Sequence, residues 1–195
     1  VSMTSYSYGH PQIHNALLAC KDRGVAVRVM QDKNHLMNKS HSVGMARKGL
    51  ELSEAIDYRV WVLTAKTRQS RLPKGTTGMY SQLHLKSLIV DNAIAITGSF
   101  NWTENAEKSS VEGVLISQLD EHVGPVARTH ESLWDESHEL CPDQVEKLLQ
   151  MVPIEDAKLR EARQSTDAGQ DAAREPEQAL GKMTPAVLPL VIRRE

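Results

Sequence analysis

The chain has 195 residues, of which 40% are hydrophobic and 4% aromatic, so it can form one domain with an aliphatic core followed by a tail. Its two cysteines have no CxxC or CxxH neighbours, and no apolar run reaches transmembrane length, which argues against a zinc site, a disulfide framework and a membrane span. Residues 1–103 hold 13 Lys and Arg against 6 Asp and Glu, whereas residues 104–195 hold 10 against 19. The basic first half suits an anionic substrate.

The first elements predict a right-handed parallel β-α-β unit. Residues 1–8 are expected to form a strand, and Pro11 suits the first turn of the helix that follows. Apolar residues then recur at helical spacing, and Gly24 is placed to cap that helix. The β-branched run 25–30 predicts a buried strand ending at Asp32. A strand, helix and strand joined this tightly are right-handed in nearly all proteins.

The middle of the chain predicts a helix over 42–55 and a strand over 58–63. Residues 64–82 then form a long loop without an acidic residue, and its four cations are Lys66, Arg68, Arg71 and Lys74. Loops of this length inside a compact domain are usually functional or disordered. Two strands are expected next, over 83–90 and 94–97. A short helix over 103–109, a further strand over 111–117 and a closing helix over 120–137 follow them.

The C-terminal quarter changes in composition. Residues 1–140 are expected to form the catalytic domain, and residues 141–195 a tail with one amphipathic helix. From residue 165 the tail is rich in Ala, Gln, Glu and Arg, so we expect it to be mostly disordered. The chain has no internal repeat, and it therefore carries a single copy of its active motif.

That motif is His84-Leu85-Lys86-Ser87-Leu88-Ile89-Val90-Asp91, followed by Gly98-Ser99-Phe100-Asn101. Residues two apart on a strand share a face, so His84 and Lys86 are expected to point the same way. A two-residue turn at residues 92–93 would place His84 opposite Asn101 and Lys86 opposite Ser99.

A phosphate diester needs the groups that converge in this arrangement: a nucleophile or base, a cation, a hydroxyl and an amide. Each residue by itself would more often be an ordinary core or surface residue, because short patterns match by chance. Their joint convergence on one patch of an apolar sheet favours a functional site.

The pattern HxKxxxxD followed by GSxN resembles the signature of the phospholipase D superfamily, which it matches at His84, Lys86, Asp91, Ser99 and Asn101. The similarity covers about residues 1–137. It is greatest to the single-motif subgroup, which includes bacterial phospholipase D-like endonucleases and Zucchini-type mitochondrial cardiolipin hydrolases. The resemblance implies an α/β fold with a mixed sheet sandwiched between helices, and the family's first strand and helix are missing before Val1.

Chemistry and resemblance together imply catalysis through a covalent phosphohistidine on His84. Glu112 is expected to orient the imidazole as a triad acid does. Asp91, at the turn, is expected either to stabilise the turn or to support, through another residue, the groups that contact the phosphate. The groups expected to bind the phosphate oxygens are Lys86, Ser99 and Asn101.

A second histidine must protonate the leaving group, so a second copy of the chain is expected to supply it in a homodimer with a composite site. No cofactor or metal is expected, because the spacings of His10, His14, His35 and His41 match no coordination pattern.

The predicted substrate is single-stranded nucleic acid, because the basic loop leads directly to His84 and backbone phosphates attract clustered cations. Its predicted rim residues are Arg68, Arg71 and Lys74, with Lys33, Lys39, Arg47 and Lys48 beside them. The first alternative is a phospholipase acting on cardiolipin or another anionic lipid, with Leu36 and Met37 among the acyl contacts. The second is a catalytically silent scaffold that binds nucleic acid or membrane. The resemblance implies an intracellular location, with the mitochondrial membrane suggested by the Zucchini-type members.

Overall fold

The computed structural model describes residues 1–38, 44–62 and 82–172, apart from the side chains of residues 159 and 162–172. Its strands are β1 (Ser2–Ser5), β2 (Arg28–Asp32), β3 (Asp57–Trp61), β4 (Ser87–Val90), β5 (Ile94–Gly98) and β6 (Val114–Ser117). Its helices are α1 (Pro11–Asp22), α2 (Lys33–Leu36), α3 (Met45–Ala55), α4 (Glu104–Ser109), α5 (Asp120–Glu136) and α6 (Pro142–Ala172).

The strands form one mixed sheet in the order β3-β2-β1-β4-β5-β6. β1, β2 and β3 run parallel, as the predicted β-α-β unit requires, and the other neighbouring pairs are antiparallel. Alternate side chains of β1 face opposite sides of the sheet: Met3 packs in the core with α1 and α3, whereas Thr4 faces the side covered by α5. The predicted mixed sheet between helices is therefore confirmed.

The β4–β5 hairpin differs from the predicted register by one residue. Asp91 and Asn92 both have a φ of 51°, and the Ala93 N–H donates to the Val90 carbonyl across 2.9 Å. Residues 91–93 thus connect the strands, because two successive residues that tolerate the left-handed conformation stand at the turn. Val90 pairs with Ile94 in this register.

The predicted pairs of His84 with Asn101 and of Lys86 with Ser99 are therefore wrong. The Gly98 N–H donates to the Lys86 carbonyl across 3.3 Å, so Lys86 aligns with Gly98. β4 begins at Ser87 instead of Leu83, and His84 lies on an extended segment that leads into the strand.

The amphipathic helix expected in the tail corresponds to α6, which continues to Ala172 and so includes the first residues of the range 165–195 that we expect to be mostly disordered. Leu148 and Met151 of α6 are buried in the main core. The buried Glu155 accepts a hydrogen bond of 2.9 Å from the Ala46 N–H at the start of α3. The compact unit accordingly extends over residues 1–161; residues 162–195 form a second unit, of which residues 173–195 lie outside the described residues.

A buried polar network joins α5 to the centre of the sheet. His130 Nδ1 lies 2.9 Å from Ser2 Oγ, and His130 Nε2 lies 2.7 Å from Ser87 Oγ. Ser87 Oγ is in turn 2.9 Å from Thr4 Oγ1. A neutral imidazole satisfies both neighbours, since one ring nitrogen donates and the other accepts. Burial, with a smaller contribution from Arg28, lowers the pKa of His130 to about 4.

We predict that this histidine makes the fold sensitive to acid. Because its pKa is lower in the folded than in the unfolded chain, the stability it confers is complete above pH 6.5 and is lost as the pH falls toward 4. The loss should be about 3 kcal/mol, as urea unfolding at a series of pH values would measure.

The matched comparison is His130→Gln against His122→Gln, since the His122 side chain is half exposed. His130→Gln should flatten the dependence of the unfolding free energy on pH between 6.5 and 4, and His122→Gln should leave it unchanged. Equal slopes in the two variants would contradict the prediction.

Candidate active site

The candidate site lies at one edge of the sheet because of the strand directions. The parallel strands β1 and β2 both end there, and β4 begins there because Thr4 of β1 pairs antiparallel with Ser87. β5 ends and β6 begins at the same edge, where Gly98 pairs with Val114. The HxK and GSxN segments are therefore brought together even though the predicted register was wrong.

Lys86 is buried, with only 4% of its surface exposed, whereas His84 is exposed. The Lys86 ammonium donates to the His84 carbonyl across 2.8 Å and lies 5.1 Å from the centre of the Tyr6 ring. The same ring lies 4.6 Å from the His84 imidazole, centre to centre. Tyr6 thus contacts both residues and holds a cation beside an accessible imidazole.

The environment of His84 favours the neutral imidazole. Desolvation lowers the pKa of His84, the Lys86 charge lowers it further, and the Asp32 charge opposes both. Burial also lowers the pKa of Lys86, against the opposing charge of Glu112. A nucleophilic histidine must be unprotonated, so the direction of the His84 shift suits that role.

Asp32 is buried at the end of β2, with 1% of its surface exposed. Its Oδ1 accepts from the His35 N–H and its Oδ2 from the Leu83 N–H, each across 2.7 Å. Burial raises the pKa of Asp32, and the backbone hydrogen bonds and the His84 charge act in the opposite direction.

Glu112 bonds to Ser99 in the structure. Ser99 Oγ donates to the Glu112 carboxylate and accepts from the Gly113 N–H across 3.1 Å. A Cβ added to Gly98 would lie 2.0 Å from the Gly113 carbonyl oxygen, so the glycine of the GSxN segment permits this close backbone approach. No contact joins Glu112 to His84 among the described residues, and the role of Glu112 in orienting His84 stays a prediction; Asp32 is the described carboxylate whose charge raises the His84 pKa.

Asn101 and Asp91 occupy different parts of the structure. Asn101 Oδ1 is buried without a hydrogen-bond partner among the described residues, and its backbone carbonyl accepts from the Thr103 N–H across 2.7 Å. Asp91 lies in the exposed turn at the far end of β4 from Lys86. A structural role in that turn fits its position, whereas a contact that supports His84 does not.

The predicted rim residues Arg68, Arg71 and Lys74 lie outside the described residues, as do Lys39 and Lys66. Arg47 is described, and its guanidinium pairs with Asp156 of α6 at 2.6 Å. Leu36 is fully buried in the core, so it cannot serve as an acyl contact.

The sequence prediction missed Tyr6, Asp32 and His35 as neighbours of the site. The His35 ring lies 4.2 Å from the Tyr6 ring, centre to centre. Their position in the sequence could have indicated that they belong to the site. Tyr6 and Asp32 lie where two parallel strands end, and ligands of α/β sheets bind at such ends.

Within residues 1–38, 44–62 and 82–172, no three His, Cys, Asp or Glu side chains are grouped so that they could hold a metal ion. The helices in these same ranges include none with the length and apolar character needed to cross a membrane. Independence of metal remains a prediction.

The mixed sheet with an HxK and GSxN edge defines a phospholipase D-like α/β protein. Residues 1–134 match the family described as "Cardiolipin synthase, PLD-like domain", and the chain belongs to this family of the phospholipase D superfamily. The chain is 29% identical over 132 residues to the mitochondrial cardiolipin hydrolase of Homo sapiens, covering 67% of this chain and 44% of that protein. It is 27% identical over 116 residues to a phospholipase D of Rickettsia prowazekii, covering 60% and 46%.

The chain thus spans about half the length of these curated relatives. The solved structures that share its fold include two bacterial proteins. NucT from Helicobacter pylori has a TM-score of 0.58 at 21% identity, covering 71% of this chain and 80% of that one. Nuc from Salmonella typhimurium, described as a phospholipase D family member, has a TM-score of 0.55 at 24% identity, covering 72% and 82%.

We predict that removing the Lys86 charge raises the pKa of His84. In Lys86→Met the imidazolium no longer faces a neighbouring cation, so the ring should titrate at higher pH than in the wild type. Carbon-detected NMR titration of the His84 ring measures this directly. Lys108→Met removes an exposed lysine that pairs with Glu104, and it should leave the His84 titration unchanged. A His84 pKa that is equal in all three proteins would contradict the prediction.

Proposed function

We propose that this protein is a phosphodiester hydrolase that acts through a phosphohistidine on His84. The observation that carries the proposal is an exposed imidazole with a lowered pKa beside the buried ammonium of Lys86. A neutral imidazole is a nucleophile, and a fixed cation stabilises charge on a phosphoryl group.

In the first step, an unprotonated ring nitrogen of His84 forms a bond to phosphorus while the bond from phosphorus to the leaving alkoxide breaks. A proton donor on the opposite side protonates that alkoxide. In the second step, water attacks phosphorus, the bond between nitrogen and phosphorus breaks, and the former proton donor accepts a proton from the water. The electron pairs and protons balance without a redox partner.

Lys86, Ser99 and Asn101 are proposed to bind the non-bridging phosphate oxygens. The Lys86 charge is available next to His84, and Ser99 is exposed at the same edge. The Asn101 amide would donate through its nitrogen, because its oxygen is an acceptor and would repel an anion. In the structure the Ser99 hydroxyl donates its single proton to Glu112, so the proposal requires that this hydroxyl turn from Glu112 to the phosphate when the substrate binds.

Single-stranded nucleic acid is the proposed substrate. The sequence between β3 and His84 has four cations and no acidic residue, which suits a phosphate backbone. The burial of Leu36 weakens the case for acyl-chain contacts on that side. Cardiolipin hydrolysis is the second candidate, because similar proteins include mitochondrial cardiolipin hydrolases, and a mitochondrial location belongs to that candidate.

We predict that the purified protein cleaves single-stranded DNA or RNA in EDTA, because histidine supplies the nucleophile. Vesicles of phosphatidylcholine containing cardiolipin are the parallel substrate. His84→Ala should abolish turnover while leaving nucleic-acid binding largely intact, and His122→Ala is the matched control with wild-type activity.

Activity lost in EDTA and restored by a divalent ion would contradict the mechanism. Cleavage of cardiolipin alone would favour the lipid candidate, and binding without cleavage of either substrate would favour the scaffold.

We further propose that the second histidine comes from a second copy of the chain. β6 ends the described sheet, so one side of its backbone has no strand neighbour there. Its apolar side chains are about half exposed, at 46% for Val114, 53% for Leu115 and 46% for Ile116. Ser99 and Glu112 lie where this strand begins, so a copy docked on it would meet the site.

We predict that Leu115→Lys separates the dimer and removes activity, because it places a charge in the proposed interface. Leu149→Lys is the matched control, since Leu149 on α6 is 57% exposed. Sedimentation should give a monomer for the first variant and a dimer for the second.

Mixing His84→Ala with wild-type chains tests the composite site independently. Heterodimers should show far less than half of the wild-type activity per site, because each site needs both histidines. An active wild-type monomer at assay concentration would contradict this proposal.

A further inference from the structure

We infer that Asp32 is a positioning residue for His84: its carboxylate fixes the backbone directly before the histidine and supplies a negative charge that acts on the imidazole. This inference rests on the proposed function of His84 and names the residue that orients it. The motif does not include Asp32, which lies more than 50 positions earlier, at the end of β2.

The first part of the argument is the Leu83 N–H. Residues 82–86 belong to no strand, so the sheet does not satisfy this backbone donor. Leu83 is nevertheless buried, with 3% exposed, in a cluster with Met30, Trp61 and Leu133. A buried N–H without a partner destabilises the folded chain, and Asp32 Oδ2 provides the partner.

The second part is the rigidity of the carboxylate. Oδ1 caps the short helix α2 through the His35 N–H, while Oδ2 binds the Leu83 N–H. One buried side chain therefore ties the end of β2, the start of α2 and the segment carrying His84 together. Two acceptor oxygens are required, because both partners are donors; an asparagine would turn one oxygen into an NH2 group facing an N–H.

The third part is the charge around His84. Lys86 faces it from its own segment, Tyr6 from the end of β1, Asp32 from β2, and His35 lies beyond the Tyr6 ring on α2. Asp32 raises the His84 pKa against desolvation and Lys86, whereas the Glu112 charge acts on Lys86. Asp32 thus stabilises positive charge on His84 through space, without a direct hydrogen bond.

The test is Asp32→Asn, with Glu51→Gln as the matched control that removes a carboxylate from His14 instead. We expect Asp32→Asn to lower the His84 pKa in NMR titration and to shift the acid limb of kcat/KM to lower pH. We expect kcat to fall on the order of 100-fold with KM nearly unchanged, because the nucleophile is misplaced. Glu51→Gln should change none of these.

A second measurement uses the wild-type protein and decides the matter if Asp32→Asn does not fold. The 13C signal of the Asp32 carboxyl and the Leu83 amide signal should both show a step at the pKa of His84, since coupling between two groups is reciprocal. A folded Asp32→Asn variant with an unchanged His84 pKa, or no such step in the wild type, overturns the inference. If the protein hydrolyses no phosphodiester but the titrations remain coupled, the proposed function fails and the positioning by Asp32 stands.

Discussion

The antiparallel pairing of β1 with β4 is the interaction on which the site depends. Thr4 and Ser87 pair through their backbones and also through their hydroxyls at 2.9 Å, and His130 closes the group from the α5 side. Without this pairing the ends of the parallel strands would carry Tyr6 and Asp32 alone, away from His84 and Lys86. The network is buried, and both ring nitrogens of His130 have hydrogen-bond partners in it. Because hydrogen bonds have preferred directions, the network fixes the alignment of β1 with β4 more specifically than apolar contacts do.

The fold was more predictable from the sequence than the exact pairing of the motif residues. The β-α-β unit follows from helical and strand periodicity with Gly24 at the helix end, and the structure confirms it. The HxK and GSxN segments were expected to meet, and they do, because a hairpin brings its two outer ends together whether its turn has two residues or three. The register was not predictable, since Asp91 and Asn92 both tolerate positive φ.

Side-chain partners were the least predictable feature. The family resemblance indicated Glu112 as a site residue, and in the structure its carboxylate bonds to Ser99, where Gly98 and Gly113 approach closely. Asp32 was missed because its contact with Leu83 joins distant parts of the chain, which periodicity does not encode. The expected amphipathic helix of the tail is part of α6, but composition alone did not indicate that its Leu148, Met151 and Glu155 have buried partners on the domain. Tertiary contacts override a local preference in each of these cases.

The central place of β1 has a consequence for how the chain folds. Thr4 and Ser87 are 83 positions apart, so a chain emerging from the ribosome completes β1, α1, β2 and β3 long before β4 exists. During that time one edge of β1 has no partner, and closing so long a loop is slow compared with forming local helices. The edge of the sheet that carries His84 is therefore expected to form late in synthesis, and strand mispairing is most to be expected before β4 has emerged.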